Sequence, residues 1–419
     1  MRGSALLKIG LAVLCLAILG AILYQLPPVR NRLSWRVDAA TTYARGIINP
    51  VQPLPTPRLQ VNRPDEVDAA AQEAEPTPTV EAIAETATPS PTPLPSPTPT
   101  PLPQSASLPS PPYEKQDWNN CGPATLALYL KHYGWEGDQF EISEELKPER
   151  GDRNVNVEEL VFFSRNRAGW LNTEFRVGGD LELLKKFLAA GIPVVIEEGT
   201  LLDATYWPND DHWAGHYLLL TGYDDAEGVF TVQDSYFGPD QKVPYATLDE
   251  NWKAFNRVYL LLYPPEQDAV VKSILGPHAD EEFNRQHALE AAQAETDADP
   301  EDAFAWFNRG SNLVYFERYS EAAKAFDQAR SLGLPQRMLR YQFGPFFAYF
   351  HSGQTDELLT LTEYALQRTP NSEEALLWHG WGLFRQGDVA GAVNDFRAAL
   401  EANRFYQDAV YALEFVGAG

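Results

Sequence analysis

Hydrophobic and polar positions alternate in different ways along the chain, and the first segment is almost wholly apolar. Residues 9–26 contain one glutamine and otherwise apolar, tyrosine or glycine positions, about the length that crosses a bilayer core as a helix. We therefore predict an N-terminal membrane anchor within residues 1–36. Basic residues flank the run on both sides, so charge does not fix its orientation. A cleaved signal peptide is the alternative.

Residues 37–112 have a different pattern, rich in proline, threonine and serine. Dense proline removes backbone donors and fixes φ, so the segment favours extended polyproline II over packed helix or sheet. We predict a disordered linker that acts as a stalk after the anchor. A stalk in this place favours an extracytoplasmic position for the folded domains, and a cytosolic linker is the alternative.

Residues 113–265 show the apolar spacing of an α+β domain. Helices that precede an antiparallel meander are an α+β arrangement. The pattern predicts helices over residues 121–133, 157–167 and 181–190, and strands over residues 193–196, 216–223, 229–234 and 257–263.

Residues 280–419 are helical in pattern and carry a weak internal repeat. Gly310 and Phe326 recur as Gly380 and Phe396, an offset of two periods of about 35 residues. A small residue at such a place lets paired helices approach closely. The pattern resembles tetratricopeptide repeats, which stack into a curved all-α array. We expect this array to bind a protein partner, and a generic helical bundle is the alternative.

The overall charge and the cysteine content narrow the possible functions. The net charge of −25 argues against a nucleic-acid partner, because phosphate binding needs clusters of Lys and Arg. The only two cysteines are Cys15, within the first apolar run, and Cys121, so we expect no disulfide. A single thiol in an exported domain suggests a chemical use for Cys121, although burial as a small apolar residue is the alternative.

Cys121 stands where a helix is predicted to begin. Gly122 and Pro123 follow it, and proline suits the first turn of a helix. The partial positive charge of a helix N-terminus favours the thiolate, which is the nucleophilic form. Gln116 lies five residues earlier, where its amide can donate to an oxyanion beside the backbone N–H of Cys121.

A general base must accompany the thiol, and the domain offers three histidines. His132 lies three turns along the helix that starts at Cys121, which is too far away. His212 lies in an irregular loop, whereas His216 opens an apolar strand that can place its ring rigidly, so we prefer His216. Asp234 ends the neighbouring strand of the meander, where it can hold the imidazole in the required tautomer.

These residues resemble those of papain-like peptidases that cleave double-glycine leader peptides from bacteriocins. The resemblance is carried by Gln116-Asp-Trp-Asn-Asn-Cys121-Gly-Pro-Ala-Thr, by Gly-His216-Tyr-Leu-Leu-Leu-Thr-Gly-Tyr, and by Val-Gln-Asp234-Ser. It implies that Cys121 is the nucleophile, His216 the general base and acid, Asp234 the orienting carboxylate and Gln116 the oxyanion donor. Leader-processing members are joined to an export ATPase, whose Gly-rich phosphate loop this sequence does not contain. Cleavage of double-glycine leaders is therefore not implied.

The sequence thus predicts a membrane-tethered thiol hydrolase, a cysteine peptidase that acts on a peptide or protein substrate and needs no cofactor. One alternative is a catalytically weak module within an extracellular repeat scaffold. Another is acyl transfer through the same thioester. We predict no metal, because the possible ligands of one irregular loop are more typical of solvated side chains: Asp203, Asp210, Asp211 and His212.

Overall fold

A computed structural model describes two folded parts and a helical segment that precedes them. The described residues are 11, 15, 18–20, 23–58, 101–148 and 154–419. Most of the predicted membrane helix at residues 9–26 lies outside them, as does the middle of the predicted linker. Within the described part of the chain, no helix combines the length and the apolar character needed to cross a bilayer.

The first folded part carries a seven-stranded antiparallel sheet. Its strands are β1 (Ser105–Ser107), β2 (Asn172–Arg176), β3 (Val194–Leu201), β4 (Trp213–Asp224), β5 (Val229–Asp234), β6 (Gly238–Pro244) and β7 (Tyr259–Tyr263). The strand order is β2-β7-β3-β4-β5-β6, and β1 pairs with the end of β4. The helices before and among the strands are α1 (Pro27–Ile48), α2 (Cys121–His132), α3 (Gln139–Leu146), α4 (Val157–Arg167), α5 (Leu181–Ala189), α6 (Tyr245–Lys253) and α7 (Asp268–Leu275).

The sheet separates two apolar cores because side chains of a strand point alternately to its two faces. Along β4, Tyr217 and Leu219 belong to the core on the side of α2 and α4. Leu218 and Leu220 belong to the core on the side of α5 and α6. β4 is therefore apolar over almost its whole length and buried on both faces, which explains why its sequence reads as a continuous apolar run.

The predicted helices and antiparallel strands are present, and the pattern missed shorter elements. β3 extends to Leu201, five residues beyond its predicted end, because its pairing with β4 continues through Gly199 opposite Gly215 to Leu201 opposite Trp213. β6 was missed because it lies at the sheet edge with exposed polar side chains. α3 was missed because only one face of this short helix is buried.

The second folded part consists of antiparallel helix pairs. Its helices are α8 (Glu281–Ala298), α9 (Ala303–Tyr315), α10 (Tyr319–Leu332), α11 (Gly344–His351), α12 (Thr355–Arg368), α13 (Glu373–Gln386), α14 (Val389–Ala402) and α15 (Gln407–Phe415). A Cβ at Gly310 would lie 2.7 Å from the Phe326 ring, and one at Gly380 would lie 2.5 Å from the Phe396 ring. The repeating glycines therefore give the repeating phenylalanines room to pack against the partner helix.

The middle repeat is irregular, and this irregularity lies beside the first folded part. Its α11 is only eight residues long, and a short 3-10 turn, Met338–Arg340, precedes it. The turn brings Tyr341 within 5.8 Å of Trp213 and 6.1 Å of Phe255, measured between ring centroids. The weakness of the repeat in the sequence thus reflects a segment that packs on the sheet domain.

A buried ion pair also joins the two parts. Nη1 and Nη2 of Arg337 donate to the Asp210 carboxylate at 2.6 and 2.7 Å, and Nη1 also donates to the Trp213 carbonyl at 3.0 Å. The two side chains are 1% and 0% exposed. Asp210, which we expected to be solvated, instead lies in the interface because the repeats supply its counter-charge.

The segment before the proline-rich stretch is docked on both folded parts. Val51 and Leu54 are buried, Arg330 donates to the Pro55 carbonyl at 2.9 Å, and Tyr364 donates to the Gln52 carbonyl at 3.2 Å. At the other end, β1 pairs with β4. Residues 51–55 and 105–107 of the predicted disordered linker are therefore ordered parts of the folded body, which corrects the prediction for these residues. Residues 59–100 lie outside the described part of the chain.

We expect the Arg337–Asp210 pair to dominate the stability of the interface. Arg337→Met leaves the Asp210 carboxylate buried without its cation, so the free energy of unfolding should fall by about 3–5 kcal/mol. Arg318→Met breaks an ion pair with Glu321 whose side chains are 47% and 52% exposed, and should cost about 0.2–1 kcal/mol. Urea unfolding of the two variants measures the difference. Equal losses would contradict this assignment.

Candidate functional site

Cys121 is the first residue of α2, and the loop before it wraps back over the helix start. Asn119 adopts a φ of 51°, a left-handed conformation that asparagine tolerates better than most residues. The Asn120 backbone N–H donates to the Asp117 carbonyl at 3.2 Å, which closes a tight turn. Since the first N–H groups of a helix have no acceptor within it, the backbone N–H of Cys121 is available beside the sulfur.

A buried glutamine from α3 fixes this loop. The Oε1 atom of Gln139 accepts from the Asp117 backbone N–H at 2.7 Å and from Asn120 Nδ2 at 2.9 Å. Its Nε2 atom donates to the Lys115 carbonyl at 2.9 Å. One side chain thus holds both ends of the turn that places Cys121. Sequence reasoning missed this role, because Gln139 belongs to a separate helix and no motif or spacing links it to Cys121.

His216 and Asp234 come together from neighbouring strands. His216 lies on β4 and Asp234 ends β5, and His216 Nε2 is 2.9 Å from Asp234 Oδ1. The same carboxylate oxygen accepts from the backbone N–H groups of Tyr236 at 2.7 Å and Phe237 at 3.0 Å. His216 also hydrogen-bonds the Cys121 side chain. The carboxylate therefore orients an imidazole that is turned toward the thiol.

The residue before His216 is a glycine for a steric reason. A Cβ at Gly215 would lie 2.8 Å from the Phe255 ring and 3.0 Å from the Tyr341 ring. Any larger residue would push these rings apart. Tyr341, a residue of the repeats, thus packs directly on the strand that carries His216.

The charges of the site favour an ion pair between thiolate and imidazolium. Burial raises the pKa of the Cys121 thiol. Three neighbours lower it by more: His216 through its hydrogen bond and charge, Lys147 through its charge, and Gly122 through its backbone N–H. The pKa of the thiol therefore lies below its usual value. Burial lowers the pKa of His216, yet Asp234 and Cys121 outweigh it and raise that pKa to about 10. Lys147 is buried and donates to the Asn119 carbonyl at 2.6 Å.

Gln116 is positioned by the strand end that carries Asp234. Its backbone N–H donates to the Ser235 carbonyl at 2.9 Å, and the Ser235 hydroxyl donates to its Oε1 atom at 2.9 Å. Because Oε1 is engaged as an acceptor, Nε2 is the end of the amide that serves as a donor. Gln116 lines the same cavity as Cys121 and His216. The structure thus brings all four predicted residues to one place.

This candidate catalytic cavity has a volume of about 440 Å³, and three parts of the chain form its walls. The sheet domain contributes Tyr206, the repeats contribute Arg340 and Tyr341, and α1 contributes Trp35. The rings of Trp35 and Trp118 lie 6.3 Å apart. The sequence indicated neither α1 nor the repeats as part of this site, because both are distant from Cys121 along the chain.

Two buried carboxyl groups of β3 lie beside the predicted catalytic residues. Glu198 pairs across the sheet with His216, and Glu197 pairs with Tyr217. Burial raises the pKa of Glu198 to about 7, while the charge of His216 lowers it. Burial also raises the pKa of Glu197 well above its usual value. Glu197 therefore keeps its proton to a higher pH than an exposed glutamate does, and Glu198 titrates near pH 7.

His132 and His212 do not contact Asp234, and each makes hydrogen bonds in another part of the domain. The Nδ1 atom of His132 is 3.2 Å from the Pro109 carbonyl at the far end of α2. His212 contacts the Thr205 hydroxyl at 3.0 Å and the Leu202 carbonyl at 2.8 Å, within the loop. Within the described residues, no group of three or more His, Cys, Asp or Glu side chains is arranged to hold a metal ion.

Comparison with known proteins shows what each folded part resembles. Residues 107–260 match the model of a family described as "Peptidase_C39 like family". The family resemblance predicted from the sequence motifs is confirmed. No curated protein matches the chain.

Solved structures resemble each part separately. A putative C39-like peptidase from Bacillus anthracis is 19% identical, with 38% of this chain and 98% of that chain covered and a TM-score of 0.31. A double glycine motif protease from an AMS/PCAT transporter, in complex with the leader peptide, is 19% identical, with 38% and 94% covered and a TM-score of 0.28. YrrB, a TPR protein with an unusual peptide-binding site, is 17% identical, with 36% and 94% covered and a TM-score of 0.19.

We expect the alkylation of Cys121 to follow the lowered pKa of its thiol. Iodoacetamide reacts with the thiolate. In a Cys15→Ser background, the alkylation rate should therefore reach half of its maximum at a pH below ~8.5, the ordinary pKa of a cysteine thiol. Lys147→Met removes a cation that favours the thiolate and should move the midpoint to higher pH. Lys147→Arg keeps the charge and should move it less. A midpoint near 8.5 that Lys147→Met does not change would contradict the ion pair.

Proposed function

We propose that this protein is a cysteine peptidase that hydrolyses peptide or amide bonds through an acyl-thioester on Cys121. The observation that carries the proposal is the hydrogen-bonded series Cys121–His216–Asp234 at the start of α2, in a cavity large enough for a peptide segment. The match of residues 107–260 to the Peptidase_C39 like family supports the same reaction.

In the first half of the reaction, the Cys121 thiolate attacks the carbonyl carbon of the substrate. The carbonyl oxygen becomes an oxyanion, to which Gln116 Nε2 and the backbone N–H of Cys121 donate. The tetrahedral intermediate collapses, the C–N bond breaks, and the His216 imidazolium gives its proton to the leaving amine. The acyl group then remains on sulfur, and His216 is neutral.

In the second half, water replaces the amine. Neutral His216 removes a proton from the water as its oxygen attacks the thioester carbonyl, and the C–S bond breaks to release a carboxylic acid. The thiolate and the imidazolium are thereby restored. Asp234 keeps Nε2 of the ring engaged throughout, so the other ring nitrogen faces the reacting atoms.

The shape of the pH profile follows from the two shifted pKa values. Activity requires the thiolate, which is lost as the pH falls through the lowered pKa of Cys121, and the imidazolium, which is lost as the pH rises through the raised pKa of His216. The ion pair is therefore the prevailing form at a pH between the lowered pKa of Cys121 and the raised pKa of His216.

Substitutions at the cavity should separate chemistry from binding. Cys121→Ala should abolish hydrolysis of a peptide amide. It should also abolish labelling of this site by a thiol-reactive peptide electrophile. Gln116→Leu should lower kcat by about 10²–10³ with little change in KM, because the oxyanion donor acts in the transition state. Gln286→Leu, an exposed glutamine on α8, is the matched control.

Steady-state kinetics with mass spectrometry of the products test this proposal. A carboxylic acid product supports hydrolysis, whereas an amide formed with an added amine shows acyl transfer. Full activity of the Cys121→Ala variant would refute the proposed nucleophile.

We also propose that residues 9–26 tether the protein to a membrane, with the folded domains on the extracytoplasmic side. The apolar run supports the tether. α1 begins directly after this run, and its Trp35 lines the catalytic cavity. A tether of this kind places the cavity close to the membrane surface, where the substrate would be met.

A membrane-impermeant maleimide should therefore label Cys121 in intact cells that produce the full chain. The Cys15→Ser variant keeps Cys121 as the single thiol, and the Cys15→Ser, Cys121→Ala double variant controls for background. Labelling that requires cell lysis would place the domains on the other side.

A further inference from the structure

Aromatic side chains make up much of the wall of the catalytic cavity. Seven of the residues that line it are Trp, Tyr or Phe. They belong to α1, to the loop before Cys121, to the loops that follow β3 and β5, and to the repeats. The proposed reaction uses a thiol, an imidazole, a carboxylate and an amide, and it gives these rings no role.

Three of these rings form a connected group. The ring centroids of Trp35 and Trp118 lie 6.3 Å apart, and those of Trp118 and Tyr206 lie 5.5 Å apart. Both distances are typical of packed aromatic pairs. Trp35 is nevertheless 41% exposed, and Trp118 and Tyr206 are half-buried. The group, which we call the aromatic subsite, therefore leaves apolar ring surface uncovered at the wall of the cavity.

The aromatic subsite is within reach of a substrate bound at Cys121. Trp118 lies three residues before Cys121, so their Cα atoms are at most about 11 Å apart. An extended peptide covers that distance in about three residues. Tyr206 belongs to the loop between β3 and β4, beside the strand that carries His216. A substrate side chain close to the scissile bond therefore meets these rings.

Specific contacts hold α1, and with it Trp35, against the cavity. The Trp118 indole N–H donates to Asp38 Oδ2 at 3.2 Å, so α1 is bonded to the loop that precedes Cys121. A Cβ at Gly46 would lie 2.7 Å from the Cβ of Trp207, which shows how closely the end of α1 packs on the loop after β3. Trp35 is therefore a fixed part of the wall, supplied from far away along the chain.

The charges around the rings favour an uncharged ligand. The Arg36 guanidinium lies 5.1 Å from the ring centroid of Trp35, and that of Arg337 lies 5.8 Å from the ring centroid of Tyr206. These groups already make the cation–π contacts, and they repel a further cation. A bulky apolar side chain gains free energy by displacing water from the exposed ring surface, whereas glycine has no side chain that could do so.

We infer that the aromatic subsite binds a bulky apolar side chain of the polypeptide substrate, within about three residues of the bond that is cleaved. The inference names a substrate class for the proposed peptidase and rests on that function for its role. Binding of an apolar side chain does not require the thioester chemistry, so the two can be tested separately.

Products from a defined mixture of synthetic peptides test the preference. The full-length protein is incubated with the mixture, and mass spectrometry identifies the cleaved bonds. At one position within about three residues of those bonds, we expect Phe, Trp or Leu at least about fivefold more often than in the mixture, with glycine depleted. Uniform residue usage at every flanking position, or a preference for glycine, would overturn the inference.

A substitution of Trp35 locates the preference. The measured quantity is the ratio of kcat/KM for a peptide with Phe at the preferred position to that for the same peptide with Gly there. Trp35→Ala should lower this ratio at least about fivefold, and Trp35→Phe, which keeps a ring, should lower it less. Trp170→Ala is the matched control, since Trp170 is 46% exposed and lies outside the cavity. A ratio that Trp35→Ala leaves unchanged would overturn the inference.

Protection of Cys121 from alkylation separates this inference from the proposed function. In Cys15→Ser protein, N-acetyltryptophanamide at millimolar concentration should slow the reaction of Cys121 with iodoacetamide at least about twofold, and N-acetylglycinamide should slow it less. Trp35→Ala should reduce the protection. Equal protection by the two amides, or none by either, would overturn the inference. If no peptide is hydrolysed while the difference in protection persists, the proposed function fails and the aromatic subsite stands.

Discussion

The interaction on which the rest of the site depends is the contact between the Cys121 thiol and the His216 imidazole. Burial alone would keep both groups neutral, since it raises the pKa of the thiol and lowers that of the imidazole. Their mutual hydrogen bond, with Asp234 behind the ring and Lys147 beside the loop, reverses both shifts. A buried ion pair of this kind requires rigid geometry, because a small separation would return both groups to their neutral forms.

The surrounding structure supplies that rigidity from several parts of the chain. Gln139 holds the turn before Cys121, and two backbone N–H groups hold the Asp234 carboxylate. Tyr341 packs on Gly215, and the Arg337–Asp210 pair fixes the repeats to the loop that follows β3. The repeats therefore form part of the wall of the cavity that contains Cys121.

The sequence predicted the four central residues because local signals carry them. A thiol before Gly-Pro at a helix start, a histidine in an apolar strand and an aspartate at the end of the next strand follow from chain order and strand pairing. Gln139 and Lys147 could not be found in this way, because their roles arise from side-chain contacts between separate elements. Asp210 was interpreted as solvated because its partner, Arg337, lies in the other folded part. The order of residues 51–55 within the predicted linker was missed for the same reason, since Gln52 and Pro55 accept hydrogen bonds from Tyr364 and Arg330 of the repeats.

The most direct test of the central ion pair is nuclear magnetic resonance of the His216 ring. In protein with ¹⁵N-labelled histidine, the ring nitrogens of His216 should show the imidazolium form through neutral pH and lose it only at alkaline pH. In the Cys121→Ala variant, removal of the thiolate should shift that loss to lower pH. A His216 ring that is neutral at pH 7 in the unmodified protein, or one whose titration Cys121→Ala leaves unchanged, would contradict the account.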